Sequence, residues 1–423
     1  MRILFPTDSF PPGCGGGGLS AYHLAAGLAS RGHAVEVVKL VPGAPELRER
    51  AHAGLPVTEI GYRRPGLPGL GPLYLYERVV PMLRRAFAER LAGARYDLVH
   101  AQHILSILPA IPAARAAGVP VVASIRDYWP VCFWDTSLSG DAICPGCSPE
   151  NLRACTERRK PALWPASRAF IPYMTRALAR RRETLGGAHG IICVSTWVRD
   201  ALLARAPGLD GARVARVPNF VNCDALEAGG GGRPESAPVR EAGVSEGAYL
   251  LYAGKLARNK GVVPMLRAIA ASSVKLPLVA AARGELEREF LEEARRLGVD
   301  ARMIGWRSNA EVHDLMRGAT ALLFPSVWPE PLSRALLEAA AIGTPVVAMA
   351  TGGTTDIVID GETGLLASDE AGFARALARL AADEALRASM RGQARRRARE
   401  KFDARPVLDQ VEDLYEKARA RAG

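Results

Sequence analysis

Short apolar runs recur along this chain, and each is followed by a turn and then a stretch with helical periodicity. They stand at Arg2–Pro6, Ala34–Lys39, Leu98–His100, Val119–Ile125, Ile191–Val194 and Arg213–Val217. The alternation restarts at Tyr249–Ala253 and continues through Leu276–Ala281, Ala321–Phe324 and Val346–Met349. Strands alternating with helices in this way dictate a parallel, doubly wound α/β sheet, here built twice. Ligands of such sheets sit outside the carboxyl ends of the strands, so the residues just after each run are the ones to inspect for chemistry.

Composition narrows the class further. A chain of 423 residues has room for two or three domains, and 48% apolar with 23% charged residues describes a folded globular protein. No segment offers about 18 consecutive apolar residues, which argues against a membrane span. Met1-Arg2 runs directly into the first strand rather than into a signal peptide, so the expected location is cytoplasmic. Seven cysteines, an odd number without a leader, argue against a disulfide framework and for free thiols or metal ligands. The net charge of +11 favours an anionic partner, whether nucleotide, phospholipid surface or nucleic acid.

The stretch Phe324–Pro345 carries the most chemistry. An apolar strand delivers Pro329 and Pro331 to a helical pattern that Gly343 and Pro345 close. With Pro331 at the first helical position, the amides of Leu332, Ser333 and Arg334 lack intrahelical partners and suit anionic oxygens or hydroxyls. Glu330 stands beside them. Glu338, eight residues on, would be turned by roughly 80° net and raised by about 12 Å along one helix. Two carboxylates so placed meet opposite ends of one extended ligand.

Other candidates follow strand ends. Pro11–Gly18 is a glycine turn leading to a helix from about Leu19 to Ser30, and its amides can approach a phosphate or sugar. His100 and His103 follow one strand and Arg126-Asp127 another. Lys255 and Lys260 flank the loop after Tyr249–Ala253, placed to neutralise a departing diphosphate. Cys132, Cys144, Cys147 and Cys155, with a C-x2-C knuckle at their centre, suit a structural four-thiolate zinc site, an iron–sulfur cluster being the lesser option. Lys160–Glu183 mixes aromatics with arginines, as a segment on an anionic membrane surface does, although a helix packing Phe170, Tyr173 and Leu178 inward explains it as well. Arg391–Lys401 reads as a solvated basic face.

Taken in order, the glycine turn, Gly254-Lys255-Leu256-Ala257-Arg258-Asn259-Lys260-Gly261, the Glu330 to Glu338 spacing, Gly352-Gly353-Thr354-Thr355-Asp356 and Gly361-Glu362-Thr363-Gly364 resemble the retaining glycosyltransferases of family 4. The resemblance covers nearly the whole chain and is densest from Tyr249 to Leu366. It implies the GT-B fold: two Rossmann-like domains facing across a cleft, with a last helix, Pro406–Ala420, crossing back to the first. The expected division is 1–222 with a Cys-rich insert at about 128–160, a linker at 223–247, a nucleotide-sugar domain at 248–404 and the crossover at 405–423.

The resemblance also implies roles. Glu330, Lys260, Lys255, Arg126 and Asp127 are the expected catalytic residues. Gly16, Gly17, Lys255, Lys260, Gly305, Trp306, Arg307, Glu330, Pro331, Leu332, Ser333 and Glu338 are expected to bind the donor, a nucleotide diphosphate sugar. The acceptor would be a saccharide, lipid-linked or small molecule, with retention at the anomeric carbon, no catalytic metal and no nucleic acid, and with peripheral contact at the inner membrane face. Arg126 stands where the family has His, Ser333 where it often has Gly, Lys255 where Arg is commoner, and Arg283-Gly284 where it has Gly-x-Gly. Two other readings compete: a GT-B nucleotide-sugar epimerase, and a basic zinc-knuckle protein that binds nucleic acid.

Overall fold

The computed structural model describes residues 1–63, 71–140, 142–159, 168–228 and 236–423. The chain divides into two compact units, one of Met1–Gly140, Cys144–Asn219 and Val407–Gly423, the other chiefly of Phe220–Pro406.

The first unit holds an eight-stranded sheet in the order Val214–Arg216, Gly190–Cys193, Val121–Ile125, Leu98–Ala101, Arg2–Thr7, Ala34–Pro42, Leu55–Tyr62, Leu47–His52. All pairings are parallel except that of the edge strand Leu47–His52. The order reverses between Arg2–Thr7 and Leu98–Ala101, so these two strands diverge to helices on opposite faces and open a crevice at their carboxyl ends. The central strands are buried throughout, Ile3, Leu4 and Phe5 fully so, which is why they read as unbroken apolar runs.

The second unit repeats the plan with six parallel strands, Ala301–Met303, Leu278–Arg283, Leu250–Lys255, Ala321–Phe324, Val346–Met349 and Leu365–Ala367. Its reversal falls between Leu250–Lys255 and Ala321–Phe324. A core of Leu250, Leu266, Leu278, Phe290, Leu323 and Phe373 packs between this sheet and its helices.

The last helix, Ala404–Ala422, is somewhat longer than the periodicity predicts. From Val407 it belongs to the first unit. Tyr415 is buried there with its hydroxyl 2.6 Å from His100 Nδ1, and Arg31 pairs with Asp409 and Glu412 at 2.6 Å each. His100 is thus a packing residue, its other nitrogen 2.8 Å from Ser124 Oγ.

Four expectations need correction. The stretch 223–247 is not simply a linker: Cys223–Ala228 and Ala237–Glu241 are helical, and Val239 and Val244 are buried, so its ends are folded. The basic face at 391–401 is not merely solvated. Arg391 donates to Ala319 O at 3.2 Å, Arg395 to Ile342 O at 2.9 Å and Arg397 to Asp356 O at 2.8 Å, so these cations satisfy carbonyls at the ends of other elements.

Third, among the described residues no group of three or more His, Cys, Asp or Glu could hold a metal ion, and the four-thiolate zinc site is unsupported. Cys132 and Cys147 share a hydrogen bond that holds the Cys132 thiol well below its usual range and pushes Cys147 up. Cys144 Sγ instead donates to Gly146 O at 3.5 Å, and Cys155 Sγ accepts from Arg159 Nε at 3.4 Å. The insert is organised by apolar packing of Phe133, Leu152, Ile171, Met174 and Leu178, and by Arg181. This buried guanidinium donates to Trp129 O at 2.9 Å and Cys132 O at 3.3 Å.

Fourth, Phe170 does not pack inward but is 39% exposed; residues 160–167 of the arginine-rich segment lie outside the described residues, and from Ile171 to Gly186 it is a helix. That helix buries Ile171, Met174, Ala177 and Leu178 and turns Arg176 and Arg180 outward. No helix among the described residues is long and apolar enough to cross a membrane.

Candidate active site

In the second unit, loops from four strand ends converge where the sheet order reverses. After Leu250–Lys255 comes a single 3-10 turn, Arg258–Lys260, ended by Gly261 at φ 67°. A Cβ on Gly261 would collide with Pro325 O, so glycine is what lets this loop lie against the one after Ala321–Phe324. Trp328 N donates to Asn259 O at 3.1 Å across the same seam. Gly284, after Leu278–Arg283, packs equally closely on the Leu256 backbone. On the far side Gly353 N donates to Glu330 O at 2.7 Å, and Thr351 Oγ1 to Ser326 O at 2.8 Å.

The seam brings Lys260 and Glu330 together. Lys260 Nζ pairs with Glu330 Oε1 and lies 4.9 Å from the centroid of the Trp328 ring. Ser326 Oγ donates to the same carboxylate oxygen at 3.4 Å. Glu330 is only 9% exposed, so an ammonium and a carboxylate share a mostly desolvated position from which either can turn to a ligand. Lys255, by contrast, is exposed at the end of its strand, its carbonyl accepting from Tyr252 Oη at 2.8 Å.

The helix after this loop starts later than the prolines predict. It spans Arg334–Ile342 with Ser333 as N-cap, its Oγ accepting from Leu336 N at 3.4 Å. Pro331 and Leu332 therefore belong to the loop, and Arg334 and Ala335 supply the open amides of the first turn. Ser333 in place of glycine is thus a cap. Glu330 is not helical either, so the turn arithmetic relating it to Glu338 does not apply. Glu338 alone sits on the helix, its Oε1 accepting from Arg334 Nη2 at 2.9 Å and its Oε2 3.2 Å from His313 Nε2. Burial pushes this carboxyl up, yet His313 and Arg334 outweigh burial and hold it below the usual range.

At the edge of the same sheet Gly305 adopts φ 74° and Trp306 is 64% exposed. Arg307 turns back to donate to Ile304 O at 2.8 Å and pairs with Glu241.

The first unit has its own candidate group at its reversal point. The helix there is Gly16–Ser30, capped by Gly15, so Gly16 and Gly17 form its first turn rather than the preceding loop. A Cβ on Gly17 would stand 3.4 Å from His103 Nε2, and His103 Nδ1 is 3.0 Å from Thr7 Oγ1. Asp8 accepts from Leu105 N at 2.8 Å and from Ser106 Oγ, and burial raises its carboxyl to about 6. Arg126 donates to Gln102 Oε1 at 2.8 Å and to Asn219 Oδ1, so side-chain amides orient it. Asp127 accepts from Trp129 N at 2.9 Å, and its carboxyl is raised to about 6, chiefly by burial.

Sequence reasoning missed Asp8, Gln102, Ser326 and His313 as members of these groups. Their signal lay only in position, since Asp8 and Gln102 follow strand ends directly, whereas His313 lies mid-helix and gave no sign.

Two doubly wound, mainly parallel units, the second with a lysine–glutamate pair at its reversal point, have the plan of the GT-B fold class. The sucrose-phosphate synthase of Thermosynechococcus elongatus superposes with a TM-score of 0.73 at 21% identity, covering 99% of this chain and all of that one. Anabaena HepE in complex with UDP gives 0.69 at 20%, with 98% and 100% covered.

The family model for Glycosyltransferase Family 4 matches residues 14–225, and that for Glycosyl transferases group 1 matches 238–397. The D-inositol 3-phosphate glycosyltransferase of Nocardioides sp. is 28% identical over 99% of this chain and 90% of its own length. The chain belongs to glycosyltransferase family 4, and its activity is of the hexosyltransferase type. Neither the epimerase nor the nucleic-acid reading finds support in these matches.

Proposed function

We propose that this enzyme moves a sugar from a nucleotide diphosphate sugar to a saccharide, lipid-linked or small-molecule acceptor, with retention at the anomeric carbon. The observation that carries the reading is the Lys260–Glu330 pair at the reversal point of the second sheet. Bound donor splits it: Lys260 turns to the diphosphate and Glu330 to the hydroxyls of the sugar. Lys255 and the amides of Arg334 and Ala335 take further phosphate charge, so catalysis needs no metal. Glu338 accepts from the ribose hydroxyls, and Gly305-Trp306-Arg307 lines the base. Lysine is a point charge that follows phosphate as the bond breaks, where arginine would be a planar fork.

Only one carboxylate, Glu330, lies by the sugar in this scheme, whereas a double displacement needs two flanking one bond. Attack from the front face, assisted by the leaving phosphate, follows. Arg126, Asp127, Gly16 and Gly17 belong to the acceptor side in residues 1–222, with 248–404 as the donor domain. The outward Arg176 and Arg180 suit peripheral contact with an anionic membrane if the acceptor is a lipid. Structural neighbours seen with nucleotide sugars support the donor class, HepE having been crystallised with UDP-glucose.

A thermal-shift panel of UDP-, GDP- and ADP-glucose tests the reading, since a ligand of the folded state raises Tm. One of them should stabilise the wild type and fail to stabilise Lys260→Ala. A flat response to all three would overturn the proposal, and NMR of the product's anomeric proton decides retention.

A further inference from the structure

The Glu338 carboxylate is approached from two helices at once. Arg334 reaches Oε1 from the first turn of the same helix and is itself tied back to Phe220 O at 3.4 Å. His313 comes from a different helix, Asn309–Gly318, to stand 3.2 Å from Oε2. Its Nε2 is cut off from solvent and meets no acceptor at full hydrogen-bond geometry among the described residues; the Glu338 oxygen 3.2 Å away is the acceptor it faces.

The histidine's helix is firmly seated. Ser308 and Glu311 form a capping box, Ser308 N donating to Glu311 Oε2 at 2.9 Å. Arg307, one residue upstream, binds Ile304 O, Glu241 and Glu311. The loop Gly305-Trp306-Arg307 and the His313 side chain are therefore parts of one rigid piece.

A carboxylate has about four lone-pair directions. One donor on one oxygen would leave the group free to rotate about its last bond. Donors on both oxygens, from separate helices, fix its plane, and a fixed plane is what two adjacent hydroxyls require. Orientation set before binding is affinity that need not be spent on ordering.

We infer that His313 is a positioning residue for Glu338, fixing the carboxylate plane for the vicinal hydroxyls of a nucleotide ribose. This rests on the reading above that Glu338 meets the ribose. It requires the proton of the imidazole, or one of the two, to sit on Nε2. Gln can present an amide N–H at about the same reach, whereas Leu fills similar space with none.

The experiment titrates UDP, ADP and GDP calorimetrically into the full-length chain and measures kcat and KM for donor hydrolysis. The proteins are wild type, His313→Leu, His313→Gln and Glu338→Ala. His313→Leu should weaken the preferred nucleotide about tenfold and raise KM alike, with kcat within about twofold, and His313→Gln should regain most of the loss. Wild-type affinity in His313→Leu would overturn the inference, as would equal losses in both variants, which would mean that shape alone matters. Full affinity in Glu338→Ala would bring down the ribose reading and this inference together. Weak binding in Glu338→Ala beside intact binding in His313→Leu would remove only the role of His313. A wild type that binds none of the three nucleotides overturns both.

Discussion

Replacing His100 with glutamine is expected to flatten the acid limb of this protein's stability. His100 is fully buried, wedged between Tyr415 of the last helix and Ser124 of a central strand. Burial chiefly, and the charge of Arg126 next, push its pKa from 6.5 to about 3. The folded state therefore keeps the ring neutral while the unfolded chain protonates it. Between those two values the unfolded state binds more protons, so stability is lost as pH falls through that window. At about pH 5 the loss from this one residue is about 2 kcal/mol relative to about pH 7.5. Urea unfolding of wild type and His100→Gln at both pH values measures it. The stability difference between the two pH values should be smaller by about 2 kcal/mol in the variant, whatever the substitution costs at neutral pH. His103 is depressed similarly but is present in both proteins and cancels. Equal pH differences in the two proteins would refute the reasoning, because they would mean that the folded state accommodates an imidazolium at this position.

Gly352→Ala should impair turnover more than folding. The residue has φ 55° and a Cβ would strike Glu330 O and Pro329 C, so the strain, on the order of 1–3 kcal/mol, falls on the loop that carries Glu330; an unchanged kcat would argue against that loop's role. Arg397→Ala removes donors from Asp356 O and Ile357 O and should cost about 1–2 kcal/mol, whereas the exposed Arg396 should cost under about 0.5 kcal/mol; denaturant midpoints compare the two. Dialysis against a chelator should leave sugar transfer unchanged, and activity lost and then restored by one divalent cation would count against charge neutralisation by lysines and amides.

Much of the fold was legible in the sequence because strands buried on both faces must be apolar along their length. Leu98–Ala101, Val121–Ile125, Ala321–Phe324 and Val346–Met349 all announce themselves in this way. The edge strand Leu47–His52, with its sequence LRERAH, is exposed almost throughout, has no buried face to impose a period, and left no signal. Its neighbour Leu55–Tyr62 passed unread as well.

The glycines and prolines marked where loops had to lie, but not where helices begin. Pro331 suggested a helix start that the structure puts at Arg334, because the N-cap chemistry belongs to Ser333. Local residue type thus determined the two sheets and the loops that follow their strands. Which side chains share a point in space was decided only by tertiary packing. Lys260 and Glu330 are seventy positions apart, and His313 reaches Glu338 from another helix. Of the four cysteines, the fold paired Cys132 with Cys147 and gave Cys144 and Cys155 other partners. Distances of that kind are set by sheet order and helix packing, which no short window of sequence encodes.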